Sequence, residues 1–208
     1  MAYYVVKKGR KTGIFDNYDK VEPLVKGYKG AIHKKFDNEE EAIAFLNKPE
    51  TEEMLDANGV ERLVADLKDD EAIIVTDGSY DSDKGIYSYG YILISNKEGE
   101  VEFSGTGNES KYSGSWNIAG EVVAVLDGLK TCKEKGYKKV KIIHDLIHLS
   151  RWVNGEYKTT SDIAKEYVKE IENYKNDLKI LFYKVKGHSG VKYNERADEL
   201  AGKAIKGE

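Results

Sequence analysis

The chain has 208 residues, 40% of them hydrophobic and 34% charged, which provides for both an apolar core and a hydrated surface. No stretch reaches the roughly 18 to 20 apolar residues of a membrane span, and residues 1–10 lack the apolar run of a secretory signal. Cys132 is the single cysteine, so an internal disulfide is excluded. We therefore expect a cytoplasmic protein that does not bind membranes and that is a monomer.

The net charge of −4 is unevenly distributed along the chain. Residues 1–36 hold nine Lys/Arg against three acids, whereas residues 48–72 hold three against nine. From Ile73 onward, 21 basic residues balance 21 acidic ones. A basic segment of this kind is typical of surfaces that bind phosphates. We call residues 1–47 the head and residues 48–72 the connector.

The head has the pattern of a small α+β unit, with a three-stranded antiparallel sheet and two helices. Alternating apolar residues and a basic turn predict two strands within residues 2–15, and residues 31–36 predict a third. Helices are predicted over residues 21–25 and 39–46, each preceded by Asn or Asp residues that can cap its first turn. About 47 residues are few for a core that is stable alone.

The connector is rich in acids, contains Pro49 and Gly59, and lacks a sustained apolar face. We interpret it as an acidic linker that is at most partly helical.

Residues 73–208 predict a second, larger domain of the α/β class. Three strands in succession are followed by alternating helices and strands, which implies a five-stranded mixed sheet with helices on both faces. The predicted strands span residues 73–79, 86–95, 100–107, 139–144 and 179–185, and the predicted helices span residues 117–135, 145–153, 160–175 and 191–206.

Four acids occupy places where an acid rarely contributes to packing. Asp77 ends a buried strand in IIVTDGS, and Asp145 follows another in KKVKIIHD. Glu121, in NIAGEVVAVLDGL, shares a helix face with apolar residues, as does Asp198 in NERADELAGKAI. Because the carboxyl ends of parallel strands meet at one edge of a sheet, we expect Asp77 and Asp145 to lie close together.

Such carboxylates repel one another and raise one another's pKa values unless a cation compensates them. Carboxylate oxygens suit Mg²⁺ or Mn²⁺, whereas zinc prefers histidine and cysteine ligands. The residues alone therefore predict a site for hard divalent cations.

The second domain resembles a type 1 ribonuclease H. TDGS, the Glu of NIAGE, the Asp after the fourth strand, the GHSG loop and NERADELA follow the order of that family, and the match covers residues 73–205. The head resembles the RNA/DNA hybrid-binding domain that precedes many cellular ribonucleases H, through YYVVKKGRKTGIF, GYKGAIHKKF and EEEAIAFL. TDGS alone would be a weak signal, but all the motifs together are specific.

The resemblance implies endonucleolytic hydrolysis of the RNA strand of RNA/DNA hybrids, which leaves 3′-hydroxyl and 5′-phosphate ends. It implies that Asp77, Glu121, Asp145 and Asp198 hold two Mg²⁺ ions, for which Mn²⁺ can substitute, in a two-metal-ion mechanism. His188, in the glycine-flanked loop, is similar to a mobile catalytic histidine of the family, and imidazole exchanges protons readily near neutral pH.

The resemblance also implies residues that contact the hybrid. Asn117 is similar to an asparagine that contacts the minor groove, where the 2′-hydroxyl distinguishes RNA from DNA. In the head, the expected contacts come from Tyr18, His33, Lys34 and Lys35, without reading of sequence. Tyr18 stands where that domain usually has Trp, which predicts a weaker stacking surface.

Two other classes of function have the same broad pattern. One is a non-catalytic protein that binds hybrids, against which the four intact acids argue. The other is a polynucleotidyl transferase or DNA nuclease of the same architecture, against which the head and the GHSG loop argue.

Overall fold

A computed structural model describes residues 2–47, 54–109, 112 and 115–208. The chain divides into two compact units, one holding residues 1–51 with 154–157 and the other holding 52–153 with 158–208. Within the described ranges, no helix combines the length and the apolar character needed to span a membrane.

The head forms the predicted three-stranded antiparallel sheet, in the order β2-β1-β3. Its strands are β1 (Tyr3–Lys8), β2 (Gly13–Phe15) and β3 (Ile32–Phe36), and its helices are α1 (Glu22–Val25) and α2 (Glu39–Asn47). A 3₁₀ turn at Tyr18–Lys20 precedes α1, with the Asn17 side chain accepting a hydrogen bond from the Asp19 amide at 2.9 Å. The Asn38 side chain caps α2 in the same way, accepting from the Glu40 amide at 2.7 Å.

Consecutive valines in β1 point to opposite faces of this small sheet. Val5 packs with Ala42 and Phe45 under α2, whereas Val6 packs with Val21 and Val25 on the other face. The head thus has two thin apolar layers, one on each side of the sheet.

The second unit is built on a six-stranded mixed sheet in the order β4-β9-β8-β5-β6-β7. Strands β5, β6 and β7 pair antiparallel, whereas β4, β9, β8 and β5 pair parallel. The strands are β4 (Met54–Leu55), β5 (Glu71–Asp81), β6 (Ile86–Ser95), β7 (Gly99–Gly107), β8 (Lys139–His144) and β9 (Lys179–Val185). The helices are α3 (Ala57–Ala65), α4 (Trp116–Glu134), α5 (His148–Val153), α6 (Asp162–Tyr174) and α7 (Lys192–Lys206).

Helices cover both faces of this sheet, as the sequence predicts. Ile74, Leu93 and Ile142 bury one face beneath apolar residues of α4 and α6. Ile73 and Val75 bury the other face in a second cluster, to which α3 and α7 contribute. Cys132 is fully buried on the α4 side.

The connector differs from the prediction. Met54–Leu55 pairs with β9 as a sixth strand at the sheet edge, and α3 follows, capped by the Asp56 carboxylate, which accepts a hydrogen bond from the Gly59 amide at 2.8 Å. Leu55, Val60 and Leu67 are buried in the second core cluster. The structure therefore does not support a linker over residues 54–72, and residues 48–53 lie outside the described ranges.

Strand β5 begins at Glu71, two residues earlier than predicted. The Glu71 carboxylate accepts from Lys139 at 2.8 Å and from Lys141 at 2.9 Å, and both lysines lie on the neighbouring strand β8. An acid can start a buried strand here because the two ammonium groups compensate its charge.

Candidate metal centre

The sheet brings Asp77 and Asp145 to the same level. Strands β5 and β8 are parallel neighbours with Val75 opposite Ile143, and each acid lies two residues further along the chain, Asp77 within β5 and Asp145 directly after β8. Strand β5 is buried up to Asp77 and half-buried beyond it, which places this carboxylate where the strand leaves the core. The Gly78 amide donates a hydrogen bond to Asp77 Oδ1 at 2.7 Å.

Helix α4 approaches the sheet closely at the same place. A Cβ atom added at Gly78 would lie 2.4 Å from the Glu121 amide nitrogen, and one added at Gly120 would lie 2.2 Å from the Ser88 main-chain oxygen. These glycines therefore allow backbone to contact backbone, since any side chain would separate the helix from the sheet. The close approach positions Glu121 over the end of β5.

Three of the four predicted acids form a compact cluster. Asp77, Glu121 and Asp145 each offer a carboxylate oxygen, and these oxygens all lie within 4.8 Å of one another. Asp77 and Glu121 are only 8% and 5% exposed, so water screens their charges poorly.

Burial and mutual repulsion shift the pKa values of this cluster upward. Burial, then the charge of Asp145 and more weakly that of Asp198, raises the pKa of Asp77 to about 7. Burial is also the main reason that the pKa of Glu121 lies well above its usual value, and Asp145 and Asp77 raise it further. The carboxylates are therefore not all stable as anions near neutral pH unless a cation joins them.

The donor set fits a hard divalent cation. The Leu146 amide donates to the Glu121 carboxylate, but Oε2 of Glu121 is buried without a hydrogen-bond partner in the described part of the chain. An unpaired buried carboxylate oxygen is costly unless something binds it. Oxygen ligands alone are typical of Mg²⁺ or Mn²⁺ sites.

Asp198 lies beside this cluster and is not one of its three members. It is half-buried on α7, and its charge contributes to the raised pKa of Asp77. Helix α7 packs tightly on β6, where the Ser88 hydroxyl donates to the Ala201 carbonyl at 2.7 Å. The structure thus brings all four predicted acids into one region, with Asp198 at its margin.

His188 lies in the loop that follows β9. Its side chain is exposed, and its φ of 50° is uncommon for a residue other than glycine. The preceding residue, Gly187, packs against the cluster, since a Cβ atom there would lie 2.6 Å from Asp145 Oδ2. The loop is therefore adjacent to Asp145.

The predicted nucleic-acid contacts of the head are exposed. Tyr18, 43% exposed, lies between Tyr4 and His33, with ring centroids 5.8 and 6.2 Å away. Lys35 lies two residues after His33 on β3, whereas the Lys34 ammonium lies over the ring of Phe36, 5.4 Å from its centroid. His33 and the two lysines thus lie on β3, and Tyr18 lies in the 3₁₀ turn, between His33 and Tyr4 of β1.

Asn117 lies in the first turn of α4, and its side chain is outside what the structure describes.

Comparison with known families identifies both parts of the chain. The family model described as RNase H matches residues 69–206, well over half of the chain. The chain belongs to the ribonuclease H family. The model described as Ribonuclease H1 N-terminal domain matches residues 2–46 of this ribonuclease H, which is the head.

Curated relatives of this ribonuclease H agree with that assignment. The Ribonuclease H of Chlorobium phaeobacteroides is 32% identical over 148 residues, which cover 64% of this chain and 94% of that protein. The Ribonuclease H of Saccharomyces cerevisiae is 47% identical over 49 residues, which cover 24% of this chain and only 14% of that protein.

Solved ribonuclease H structures share the fold. RNase H1 from Halobacterium salinarum NRC-1 superposes with a TM-score of 0.56 at 19% identity, covering 66% of this chain and 99% of that one. LC11-RNase H1, solved in complex with an RNA/DNA hybrid, has a TM-score of 0.55 at 24% identity and covers 65% of this chain and 97% of that one. At these identities, the similarity establishes the fold alone.

Sequence reasoning missed one residue of this ribonuclease H that reaches the cluster. Lys184, on β9, donates from Nζ to the main-chain oxygen of Asp145 at 2.6 Å. The sequence pattern could have indicated Lys184, because it follows Ile180 and Phe182 at alternate positions of β9 and is a charged residue on an otherwise apolar strand face.

Proposed function

We propose that this ribonuclease H hydrolyses the RNA strand of RNA/DNA hybrids endonucleolytically and leaves 3′-hydroxyl and 5′-phosphate ends. The observation that carries the proposal is the cluster of buried Asp77 and Glu121 with half-buried Asp145, in which Oε2 of Glu121 has no hydrogen-bond partner among the described residues. Membership of the family and the hybrid bound to LC11-RNase H1 support the choice of substrate.

The proposed cofactor is Mg²⁺, with two ions per site for which Mn²⁺ can substitute. Asp77, Glu121 and Asp145 would hold it, and Asp198 would complete the site from α7. Bound divalent cations supply activation of the attacking water and stabilisation of the charge on the leaving oxygen. Asp77 and Glu121 provide oxygen ligands on β5 and α4, and their burial limits competition from water.

We assign to His188 the transfer of a proton near Asp145 during hydrolysis or product release. The support is geometric, since Gly187 packs on Asp145 Oδ2 and the His188 side chain is exposed beside it. An exposed imidazole on a loop can reach both the substrate and solvent.

The head is the proposed second contact with the duplex. Its positive charge would attract the phosphates, Tyr18 and His33 would pack against sugars, and Lys34 and Lys35 would pair with phosphates. Asn117 is the proposed contact to the minor groove beside the catalytic cluster. A cytoplasmic monomer remains the expectation for the whole protein.

The decisive experiment is cleavage of one end-labelled RNA strand, presented single-stranded, in RNA/RNA and in RNA/DNA, and analysed on a denaturing gel. Each substrate is incubated with Mg²⁺ or with EDTA, and Asp145→Asn is run beside the wild-type protein. We expect cuts only in the RNA/DNA lane with Mg²⁺, and none from the variant, although the variant still binds the hybrid.

Other outcomes would change the assignment. Intact RNA in every lane, together with tight hybrid binding, would indicate a non-catalytic binding protein. Cleavage of a DNA duplex instead of the hybrid would indicate a DNA nuclease of the same architecture. Near-normal turnover by Asp145→Asn would remove Asp145 from the site.

A further inference from the structure

Lys184 occupies an unusual place for a lysine. It lies on β9 opposite His144 of β8, one residue before Asp145 in the neighbouring strand. By the alternation of the strand, its side chain shares a face with Ile180 and Phe182, which pack against the core on the α4 side of the sheet. Helix α4 carries Glu121, so Lys184 points towards the helix that completes the carboxylate cluster.

The ammonium group is held by two main-chain carbonyls. Nζ donates to the Asp145 oxygen at 2.6 Å and to the Val185 oxygen at 3.0 Å. The Asp145 carbonyl directly follows β8, and the Val185 carbonyl belongs to the last residue of the neighbouring parallel strand β9. The contact therefore fixes the backbone of Asp145 relative to β9, and hydrogen bonds from a charged donor are among the stronger ones in proteins.

The charge of Lys184 also acts on the cluster. The ammonium lies 2.6 Å from the main-chain oxygen of Asp145, whose carboxylate belongs to the cluster, and it opposes the upward shift in the pKa of Glu121. A positive charge beside these acids offsets part of their mutual repulsion. This effect matters most when divalent cations are absent, because bound cations supply the same compensation at closer range.

We propose that Lys184 is a positioning residue of this site, whose ammonium group anchors the main chain of Asp145 and provides the counter-charge that holds the carboxylate cluster together before divalent cations bind. The inference rests on the proposed metal site. It assigns Lys184 no contact with substrate.

The test compares thermal unfolding of full-length variants in EDTA and in saturating MgCl₂ at equal ionic strength. Tryptophan fluorescence reports the second unit selectively, because both tryptophans, Trp116 and Trp152, belong to it. Lys184→Met removes the charge, Lys184→Gln keeps a hydrogen-bond donor without the charge, and Lys184→Arg keeps the charge. Lys179→Met, an exposed lysine on the same strand, is the matched control.

We expect Lys184→Met to lower the Tm by about 3 to 6 °C in EDTA and by less than half of that with Mg²⁺, so that the magnesium-induced rise in Tm exceeds that of the wild-type protein. Lys184→Gln should behave similarly, whereas Lys184→Arg and Lys179→Met should show the wild-type magnesium response.

A purely structural role predicts equal losses with and without Mg²⁺. A magnesium-induced rise in the charge-removing variants that is equal to or smaller than the wild-type rise would therefore overturn the proposal. If Mg²⁺ does not raise the Tm of the wild-type protein, the proposed metal site itself fails. If Lys184→Met does not fold, the comparison rests on Lys184→Gln.

Discussion

Replacing Gly120 by alanine tests the close contact between helix α4 and the sheet. The added Cβ would lie 2.2 Å from the Ser88 oxygen, 2.8 Å from Gly78 Cα and 3.1 Å from the Ser79 nitrogen. All three are backbone atoms of β5 and β6, so no flexible side chain can turn away. The helix must therefore move outward by about 1 Å to reach ordinary van der Waals separation.

Two opposing terms determine the effect on stability. Overpacking of a close contact costs about 1 to 3 kcal/mol, whereas alanine is favoured over glycine inside a helix by about 1 kcal/mol. Because the clash involves only backbone, we expect the upper part of the first range and a net loss of about 2 kcal/mol. Glu121 directly follows Gly120, so its carboxylate moves away from Asp77, and a misplacement of about 1 Å can lower the cleavage rate about 100-fold.

Glycines elsewhere in the second unit offer matched controls. Gly128, two turns further along α4, would place its Cβ 2.9 Å from Cδ1 of Ile74, the end of a side chain that can adjust. A Cβ added at Gly202, in α7, would lie more than 4 Å from every described atom outside its chain neighbours and the helix's own backbone. We expect Gly128→Ala to be nearly neutral and Gly202→Ala to gain up to about 1 kcal/mol.

The assays are urea unfolding followed by tryptophan fluorescence, and cleavage of a labelled hybrid under single-turnover conditions. The reasoning would be refuted by a Gly120→Ala protein that equals the wild-type protein in both stability and cleavage rate. A loss of stability with full activity would show that the helix moves without displacing Glu121.

Three further predictions follow from the structure. Glu71→Gln should cost about 3 kcal/mol at pH 7, because hydrogen bonds from Lys139 and Lys141 lower the pKa of Glu71 from 4.5 to about 2. Because the pKa of Glu71 is lower in the folded state, this stabilisation is complete above pH 4.5 and is lost as the pH falls towards 2. The difference in unfolding free energy between the variant and the wild-type protein should therefore shrink over that window. A difference that is independent of pH in urea titrations would contradict the prediction. Deleting residues 1–47 should weaken hybrid binding and flatten its salt dependence, because fewer counterions are released; an unchanged slope would show that the head does not bind the duplex. Asp145→Asn should bind hybrid with nearly wild-type affinity in a filter-binding assay while cleavage is lost, and a large loss of binding would show that Asp145 contributes chiefly to substrate affinity.

Most of the architecture of the second unit could be predicted from the sequence. Short apolar runs over residues 86–95, 139–144 and 179–185 predicted β6, β8 and β9 with their observed ends. Their order predicted that Asp77 and Asp145 would belong to neighbouring parallel strands, and the pairing of β5 with β8 confirms this, although β5 continues past Asp77 to Asp81. These features are local, since each depends on a few consecutive residues and on general rules of strand connection.

The connector shows where local patterns were insufficient. Its acids dominate the composition, yet three separated apolar residues, Leu55, Val60 and Leu67, attach it to the sheet. Propensity over so short a segment is weak, and the edge of β9 supplies the pairing that makes Met54–Leu55 a strand. The structure of this segment therefore depends on β9, which lies more than 120 residues further along the chain.

The chemistry of the site depended on tertiary structure in the same way. The acids could be chosen from the sequence, but their approach to within 4.8 Å, the burial that raises the pKa of Asp77, and the marginal place of Asp198 arise from elements far apart in the chain. Lys184 and Gly120 are important because of contacts with residues distant in sequence. Lys184 donates a hydrogen bond to the Asp145 carbonyl, and Gly120 packs against the Ser88 carbonyl. A sequence pattern specifies which residue types can form a site, whereas distances, burial and counter-charges are set by packing between segments that no local pattern relates.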